Sequence, residues 1–333
     1  MKFSLSAEQR DFAASLRALL TSEDALAVGR AWQAGDRAPG RALWARLAEL
    51  GVPALAVPER WGGLGADPID LVVAFEELGR FAVPGPLIET IAVVPALLTG
   101  IEPGRTAETW LPRLAAGDVL ASVAMLPHVP YALDADLVPL LGVLDQGTLW
   151  CGTPGGSVLS SVDPSRRLFR VRRENVLGAV DGTNAFNVGA LACAAQLLGA
   201  GHALLDTSTE YAAGRVQFGR PIGSFQAVKH HLADVLVGLE LARPLVYGAA
   251  VALAAGSVTA DRDCSAAKVA CADAANRAAR IALQVHGAIG YTQECSVGRW
   301  LTRVRALVSA WGNSSVHRDR VLAALLADGG ATQ

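Results

Sequence analysis

One segment between two long apolar stretches combines an arginine with aromatic and amide side chains. Residues 215–222 read RVQFGRPI, and Phe225 and Gln226 follow shortly after. An arginine guanidinium in such a loop can pair with a pyrophosphate through parallel hydrogen bonds, while Phe218 packs against a flat ring. The alternative is an ordinary connection in which Arg215 caps the end of a helix.

A glycine-rich helix end is the second candidate. Residues 284–291 read QVHGAIGY. Glycine lets the backbone approach a ligand closely because it has no side chain, although glycine also ends many ordinary helices. Taken together, the two segments favour a site for a phosphate and a ring.

The hydrophobic periodicity predicts helices, then strands, then helices. Residues 6–100 have a helical pattern, and Ser6 and Gln9 are spaced as a capping box. Short apolar runs at 119–125, 137–144, 148–151 and 168–171 are separated by Pro, Gly and Asp, which indicates a small antiparallel β unit. Alanine-rich helices are then predicted at 188–213, 225–254, 261–286 and 294–308, and we expect them to form a bundle.

The composition excludes some functional classes. The chain has 333 residues, of which 52% are hydrophobic and 18% charged, with a net charge of -2. This balance excludes a disordered chain and argues against a nucleic-acid partner, which requires a basic surface. The apolar excess predicts either a large helical core or a surface covered by partners.

The apolar stretches also raise the question of a membrane. A spanning helix needs about 20 nearly uncharged residues. The stretch 245–255 is too short, and 88–100 contains Glu89 and Pro95. The N-terminal residues do not join a basic end to an apolar run, so we expect a cytoplasmic protein without membrane insertion.

The five cysteines do not form a metal-binding pattern. No CxxC occurs, and no histidine stands at a ligand spacing from a cysteine. Cys264 and Cys271 are seven residues apart, on one helix face, and are expected to be small buried apolar residues. No metal site is predicted.

Longer matches accompany the two candidate segments. Residues 43–51 (LWARLAELG), 57–65 (VPERWGGLG), 76–80 (EELGR), 211–226 and 284–291 occur in an order that resembles the acyl-CoA dehydrogenase family of flavoenzymes. The resemblance implies a mainly α fold with a small β domain. The expected parts are an N-terminal α-helical domain (1–114), a shortened antiparallel β domain (115–186) and a C-terminal four-helix bundle (187–328).

The resemblance also implies FAD as cofactor. In this family four C-terminal bundles form the core of a tetramer, and FAD is shared across a subunit interface. Arg215, Gln217 and Phe218 match the loop that holds the pyrophosphate and adenosine, and Gln226 matches a flavin-contacting glutamine. Residues of the family's QxxGG segment are matched by Gln284, Val285, His286, Gly287 and Ala288, with Ala288 in place of the second glycine.

The catalytic base of the family is missing. Members remove a proton from the substrate with a Glu carboxylate, but the commonest position of that Glu corresponds to Trp311, and the second known position corresponds to Gly189. Neither residue can accept a proton. The ionisable residues nearby are Asp181, His317 and Asp319, which we expect to be solvated or helix-capping.

The middle of the chain departs from the family as well. Residues 121–130 (ASVAMLPHVP) replace a Thr-Glu-Pro type stretch that receives the flavin ring. Only about 50 residues separate Gly117 from Arg166, fewer than in full-length relatives. We therefore predict that the ring-binding half of the site is lost.

These departures resemble the short, base-lacking subunit of α2β2 acyl-CoA dehydrogenases that act on steroid side chains. The resemblance implies that a full-length partner subunit supplies the Glu and the ring site, that an acyl-CoA is dehydrogenated, and that electrons pass to an electron-transfer flavoprotein. This chain alone would be inactive. Two alternatives remain: a homo-oligomeric enzyme using Asp181 or His317 as base, and a scaffold on the same fold without a role in flavin binding.

Overall fold

The structure is a computed structural model that describes residues 4–101, 104–292 and 295–330. Residues 1–3 of the predicted first domain and residue 294 of the predicted fourth bundle helix lie outside this description. The N-terminal helices are α1 (Ala7–Ser22), α2 (Ala25–Ala34), α3 (Ala38–Glu49), α4 (Pro68–Arg80), α5 (Val94–Gly100) and α6 (Arg105–Ala115). The predicted capping box is confirmed at the start of α1, where the Gln9 amide donates to Ser6 Oγ over 3.1 Å.

A small sheet follows these helices. Its strands are β1 (Ala121–Met125), β2 (Ala132–Leu133), β3 (Leu140–Asp145), β4 (Thr148–Leu159) and β5 (Leu168–Ala179), arranged in the order β1-β3-β4-β5-β2. The sheet is antiparallel as predicted except at β1, which pairs parallel to β3. The connection between β1 and β3 explains this pairing, because residues 126–139 pass through β2 at the opposite edge of the sheet. A connection of about a dozen residues or more is long enough for two strands to run parallel.

The C-terminal part is helical as predicted, with a fifth helix after the four predicted segments. Its elements are α7 (Thr183–Gly214), the hairpin β6 (Val216–Gln217) and β7 (Arg220–Pro221), α8 (Gln226–Ala254), α9 (Ala260–His286), α10 (Val297–Ser309) and α11 (Ser314–Gly330). Leu322, Leu325 and Leu326 of α11 stand at helical spacing but are exposed, so this apolar stripe faces away from the core of the chain. The division into three domains at 114/115 and 186/187 stays a prediction.

Helix α4 is packed unusually closely against α7. A Cβ atom added to Gly199 would lie 1.9 Å from the Glu76 carbonyl oxygen, and one added to Gly79 would lie 2.2 Å from that of Gln196. The two backbones therefore touch without intervening side chains. A half-buried ion pair of 3.1 Å between Glu76 and Arg243 of α8 fastens the same contact.

Two helices are long and apolar enough to cross a membrane, contrary to the expectation from shorter stretches. They are α7 and α8. Their apolar length was underestimated because the expectation considered only uninterrupted apolar runs. The most apolar window of α7 is 100% buried in the chain, whereas that of α8 is only 39% buried. Helix α7 is thus the core helix of the bundle, and much of α8 faces outward.

Arg303 of α10 joins all three parts of the chain. Its Nε donates to Asp163 Oδ2 over 2.5 Å, and its other nitrogens donate to Ser165 Oγ and to the carbonyl oxygens of Ala82 and Val83. Arg303 and Asp163 are 4% and 3% exposed. The loop before β5 and the end of α4 are therefore held on the bundle by one buried guanidinium.

The buried cysteines agree with the prediction. Cys264 and Cys271 are fully buried on α9, and Cys193 is buried on α7. Burial raises the pKa of the Cys264 thiol to about 12, so it stays protonated near neutral pH. Among the described residues, no group of three or more His, Cys, Asp or Glu side chains could hold a metal ion.

Candidate functional site

The predicted phosphate-binding loop is an exposed hairpin that follows α7. Its two turn residues, Phe218 and Gly219, have φ angles of 53° and 79°, as a two-residue type I′ turn requires. A positive φ is uncommon for a bulky residue such as phenylalanine. The Phe218 side chain is 91% exposed. The hairpin therefore presents an aromatic ring to solvent from an unfavourable backbone conformation, and this ring meets the Phe225 ring edge-on with 6.2 Å between centroids.

The guanidinium of Arg215 in this loop is also free to bind a ligand. The Arg215 side chain is exposed, and no hydrogen bond or ion pair of its guanidinium occurs within the described part of the chain. Its backbone, by contrast, is fixed, because its N–H donates to Tyr211 and its carbonyl accepts from Ile222. Arg215 is thus the C-cap residue of α7 through its backbone, while its guanidinium takes no part in the cap. Gln217 and Gln226, at the start of α8, are exposed as well.

The second predicted segment lies beside the first. The ring of His286, at the end of α9, stacks on the ring of Tyr211 near the end of α7 with 4.4 Å between centroids. Gln284, Gly287 and Ala288 are exposed next to it, and Val285 is half-buried. The structure therefore brings the two segments to one end of the bundle, and His286 contributes its buried ring to that contact.

The two positions expected for the catalytic Glu meet in space. Trp311 is only 1% exposed, and a Cβ added to Gly189 would lie 2.3 Å from its Cε3 atom. The indole thus fills the space beside α7, and only glycine leaves room for it. Neither the missing side chain of Gly189 nor the indole of Trp311 can accept a proton.

The loop carrying Trp311 is held from two sides. The ammonium group of Lys268, which is 1% exposed, donates to the carbonyl oxygens of Leu307, Val308 and Gly312. His317 Nε2 lies 2.8 Å from the Trp311 carbonyl oxygen. Trp311 itself has a φ of 56°. These contacts hold the indole in a strained backbone conformation that it would not adopt freely.

The alternative bases have different surroundings. The Asp181 side chain is exposed, as expected, and accepts hydrogen bonds from the Thr183 amide and hydroxyl, which hold its pKa below the ordinary value. Asp319 is exposed on α11. The expectation for His317 was wrong: it is fully buried because α11 packs its ring against Phe186, and burial lowers its pKa to about 4.

Sequence reasoning missed a buried carboxyl beside Trp311. Glu89 begins a π-helical turn, Glu89–Val93, and is 4% exposed. Burial raises its pKa, while Arg166 and a hydrogen bond with the Trp311 side chain act in the opposite direction. In the sequence Glu89 was visible only as a charge interrupting an apolar stretch.

We expect Gly189→Ala to destabilise the chain by about 1–3 kcal/mol, because the new methyl group overlaps the Trp311 ring. Urea unfolding of the purified chain measures the change. Gly248→Ala on α8 is the matched control, since nothing lies within 4 Å of its added Cβ. In a Trp311→Ala background the Gly189 substitution should become tolerated; an equal loss there would contradict the steric explanation.

Comparison with known proteins extends over most of the chain. Two family models match: "Acyl-CoA dehydrogenase, N-terminal domain" at residues 6–118 and "Acyl-CoA dehydrogenase, C-terminal domain" at residues 178–326. The chain is also 34% identical to acyl-CoA dehydrogenase IpdE2 of Mycobacterium tuberculosis over 80% of its own length and 81% of that protein. The chain belongs to the acyl-CoA dehydrogenase family.

Solved acyl-CoA dehydrogenase structures share the fold. The ChsE4-ChsE5 complex from Mycobacterium tuberculosis matches with a TM-score of 0.86 and 21% identity, covering 98% of this chain and 99% of that one. The Tcur3481-Tcur3483 steroid ACAD matches with a TM-score of 0.83 and 21% identity, covering 97% and 99%. At this identity the matches establish the fold alone.

FAD is the cofactor of acyl-CoA dehydrogenases, and the residues at the bundle end fit its ADP half. The unpaired Arg215 guanidinium suits a pyrophosphate, and the outward ring of Phe218 suits contact with a cofactor bound outside this chain. Neither of the two family-model matches reaches residues 119–177, where the ring would be received. Loss of the ring site stays a prediction.

Proposed function

We propose that this acyl-CoA dehydrogenase is the non-catalytic subunit of a heteromeric, FAD-dependent enzyme. The observation that carries the proposal is the contact of Trp311 with Gly189, which leaves both family positions for the base without a carboxylate. A full-length partner would supply the Glu and receive the flavin ring. This chain would hold the ADP half of the same FAD.

The residues of this chain would bind and orient the cofactor. Arg215 would neutralise the pyrophosphate, Phe218 would pack on the adenosine part, and Gln226 would reach toward the flavin. The segment from Gln284 to Ala288 would form the opposite wall, since its backbone lies at the same end of the bundle. When bound, FAD supplies the acceptor for the hydride that leaves the acyl chain.

The outward face of α8 supports a partner subunit. Leu236, Val237, Leu241 and Leu245 are between 45% and 69% exposed on this helix. An apolar stripe of this size is unfavourable in water and is typical of subunit interfaces. It also explains why a chain with 18% charged residues has so much apolar surface. We propose an α2β2 assembly located in the cytoplasm.

The substrate of the assembly is proposed to be a CoA thioester of a steroid side chain. Support comes from the likeness to short subunits of this kind and from a structural neighbour described as a steroid ACAD. The assembly would form an α,β-unsaturated thioester and pass electrons to an electron-transfer flavoprotein. A scaffold without a flavin role is the alternative, and it predicts that the Arg215 loop is dispensable.

Co-expression with the full-length acyl-CoA dehydrogenase of the same gene cluster tests the proposal. We expect the two chains to co-purify with one FAD per heterodimer and to oxidise the acyl-CoA. The chain expressed alone should contain little FAD and show no dehydrogenase activity. If the lone chain binds stoichiometric FAD and oxidises acyl-CoA, the proposed division of labour is wrong.

Arg215→Ala in the assembled enzyme should weaken FAD binding by about 10- to 150-fold, because charge-assisted hydrogen bonds to the pyrophosphate are removed. Equilibrium dialysis against FAD measures the change. Arg318→Ala, which removes an equally exposed cation paired with Asp273, should leave FAD binding unchanged. Full FAD affinity after the Arg215 substitution would favour the scaffold alternative.

A further inference from the structure

A cavity of about 460 Å³ lies where the three parts of the chain meet. Its lining includes Glu89 from the N-terminal part, Tyr131 and Arg166 from the β unit, and Arg305 and Trp311 from the C-terminal part. The volume falls within the range of small-molecule sites. The Trp311 indole, which closes the expected base position, forms part of its wall.

The two arginines that line this cavity form no ion pair within the described ranges. Arg166 is half-buried and Arg305 is exposed, and within the described ranges neither guanidinium has a hydrogen bond or ion pair. Against the effect of burial, the Arg166 charge lowers the pKa of the Glu89, Asp134 and Asp163 carboxyls, but its guanidinium donors form no hydrogen bond within the described ranges, so an anion at this wall can accept them. The buried Arg303, by contrast, is paired with Asp163.

The buried Glu89 is the acidic residue in the lining of this cavity. Unlike the buried Glu76 and Glu77, it has no ion pair of 4.0 Å or less among the described residues. It opens a π-helical turn, and such turns are frequent at functional sites. Arg166 and Arg305 are the two arginines that line the cavity, so the anionic end of a ligand belongs there and its apolar end belongs against Trp311.

We propose that this cavity binds a compact apolar monocarboxylate, with the carboxylate at Arg166 and Arg305 and the apolar body against Trp311. The site requires neither FAD nor a partner subunit, and it takes no part in the dehydrogenation proposed above. Because a ligand there contacts all three parts of the chain, binding also stabilises the folded chain.

Isothermal titration calorimetry with 3-phenylpropanoate and its neutral amide, 3-phenylpropanamide, tests the proposal. The two probes have the same shape and differ in charge. We expect the acid to bind at least about tenfold more tightly than the amide and to raise the melting temperature. Arg166→Gln and the more exposed Arg305→Gln should each remove most of this preference, and the matched control Arg170→Gln should retain it.

Three results would overturn the site: equal affinity for acid and amide, binding of the acid only above about 100 mM, or binding of FMN that phenylpropanoate displaces. The last result would assign the cavity to a flavin ring. Arg215→Ala should not change binding of the acid, and Arg166→Gln should not change retention of FAD by the assembled enzyme. Failure of this site and failure of the proposed function are therefore distinguishable.

Discussion

Arg303→Met should cost about 3–5 kcal/mol of stability, because it leaves the buried Asp163 carboxylate without its counter-charge. The backbone carbonyl oxygens of Ala82 and Val83 lose their donor in the same step. Since domains are stable by only about 5–15 kcal/mol, a loss of this size is a large part of the total. Urea unfolding of the chain measures it.

Two comparisons isolate the buried charge as the cause. Arg318→Met breaks an ion pair whose side chains are 62% and 63% exposed, and it should cost less than about 1 kcal/mol. The double variant Arg303→Met with Asp163→Leu removes both charges and should recover much of the loss. A double variant as unstable as Arg303→Met alone would contradict this account.

The effect of Arg303→Met also depends on pH. Burial alone raises the pKa of Asp163, but Arg303 and Ser165 outweigh it and hold the pKa below its ordinary value. The contribution of the pair is therefore present above the unfolded pKa of about 4 and is lost as the pH falls through the lower folded value. In the variant only Ser165 and Arg166 still oppose burial, so the pKa of Asp163 is higher than in the parent chain and protonation relieves the penalty. The difference between the two proteins should shrink in acid.

If the proposed partner subunit supplies the base, replacing its Glu by Gln should lower turnover of the assembled enzyme by about 10²–10⁴-fold or more. In this chain, Asp181→Asn and His317→Gln should leave kcat unchanged. Asp181 is engaged with Thr183, and His317 is fully buried with its Nε2 at the Trp311 carbonyl oxygen. Dye-coupled oxidation of acyl-CoA by each purified assembly measures kcat.

The homo-oligomeric alternative predicts the opposite pattern. If Asp181→Asn or His317→Gln lowers kcat by orders of magnitude, one of them is the base and the chain is catalytic by itself. Gln at position 317 keeps a hydrogen-bond donor for the Trp311 carbonyl, so a loss of folding can be separated from a loss of chemistry by unfolding measurements. Because Asp181 is exposed, Asp181→Asn is the variant less affected by a loss of folding.

The sequence predicted those elements that bury a regular apolar pattern. The helices α8 and α9 lie within one residue of their predicted bounds because they are alanine-rich and end at recognisable stops. Strands β4 and β5 are longer than predicted, because their outer halves carry exposed glycine, arginine and other polar residues. Such residues break the alternation by which a strand is recognised.

The candidate site was predictable only in part, for a similar reason. Arg215 and Gln284 stand in segments long enough to be matched as sequence. The contact of Trp311 with Gly189 joins distant positions, so it depends on how α7 packs against the loop after α10. Glu89 and Arg303 are single charges within helical segments, and nothing in their spacing indicates that both become buried. Tertiary packing alone assigns these roles.

The contact between Trp311 and Gly189 limits the order in which these two positions can change during evolution. Any residue larger than glycine at position 189 overlaps the indole ring as long as Trp311 is present. A carboxylate could therefore appear at position 189 only after Trp311 had been replaced by something smaller. A route that places a carboxylate at position 189 therefore requires two substitutions in a fixed order, with Trp311 replaced first.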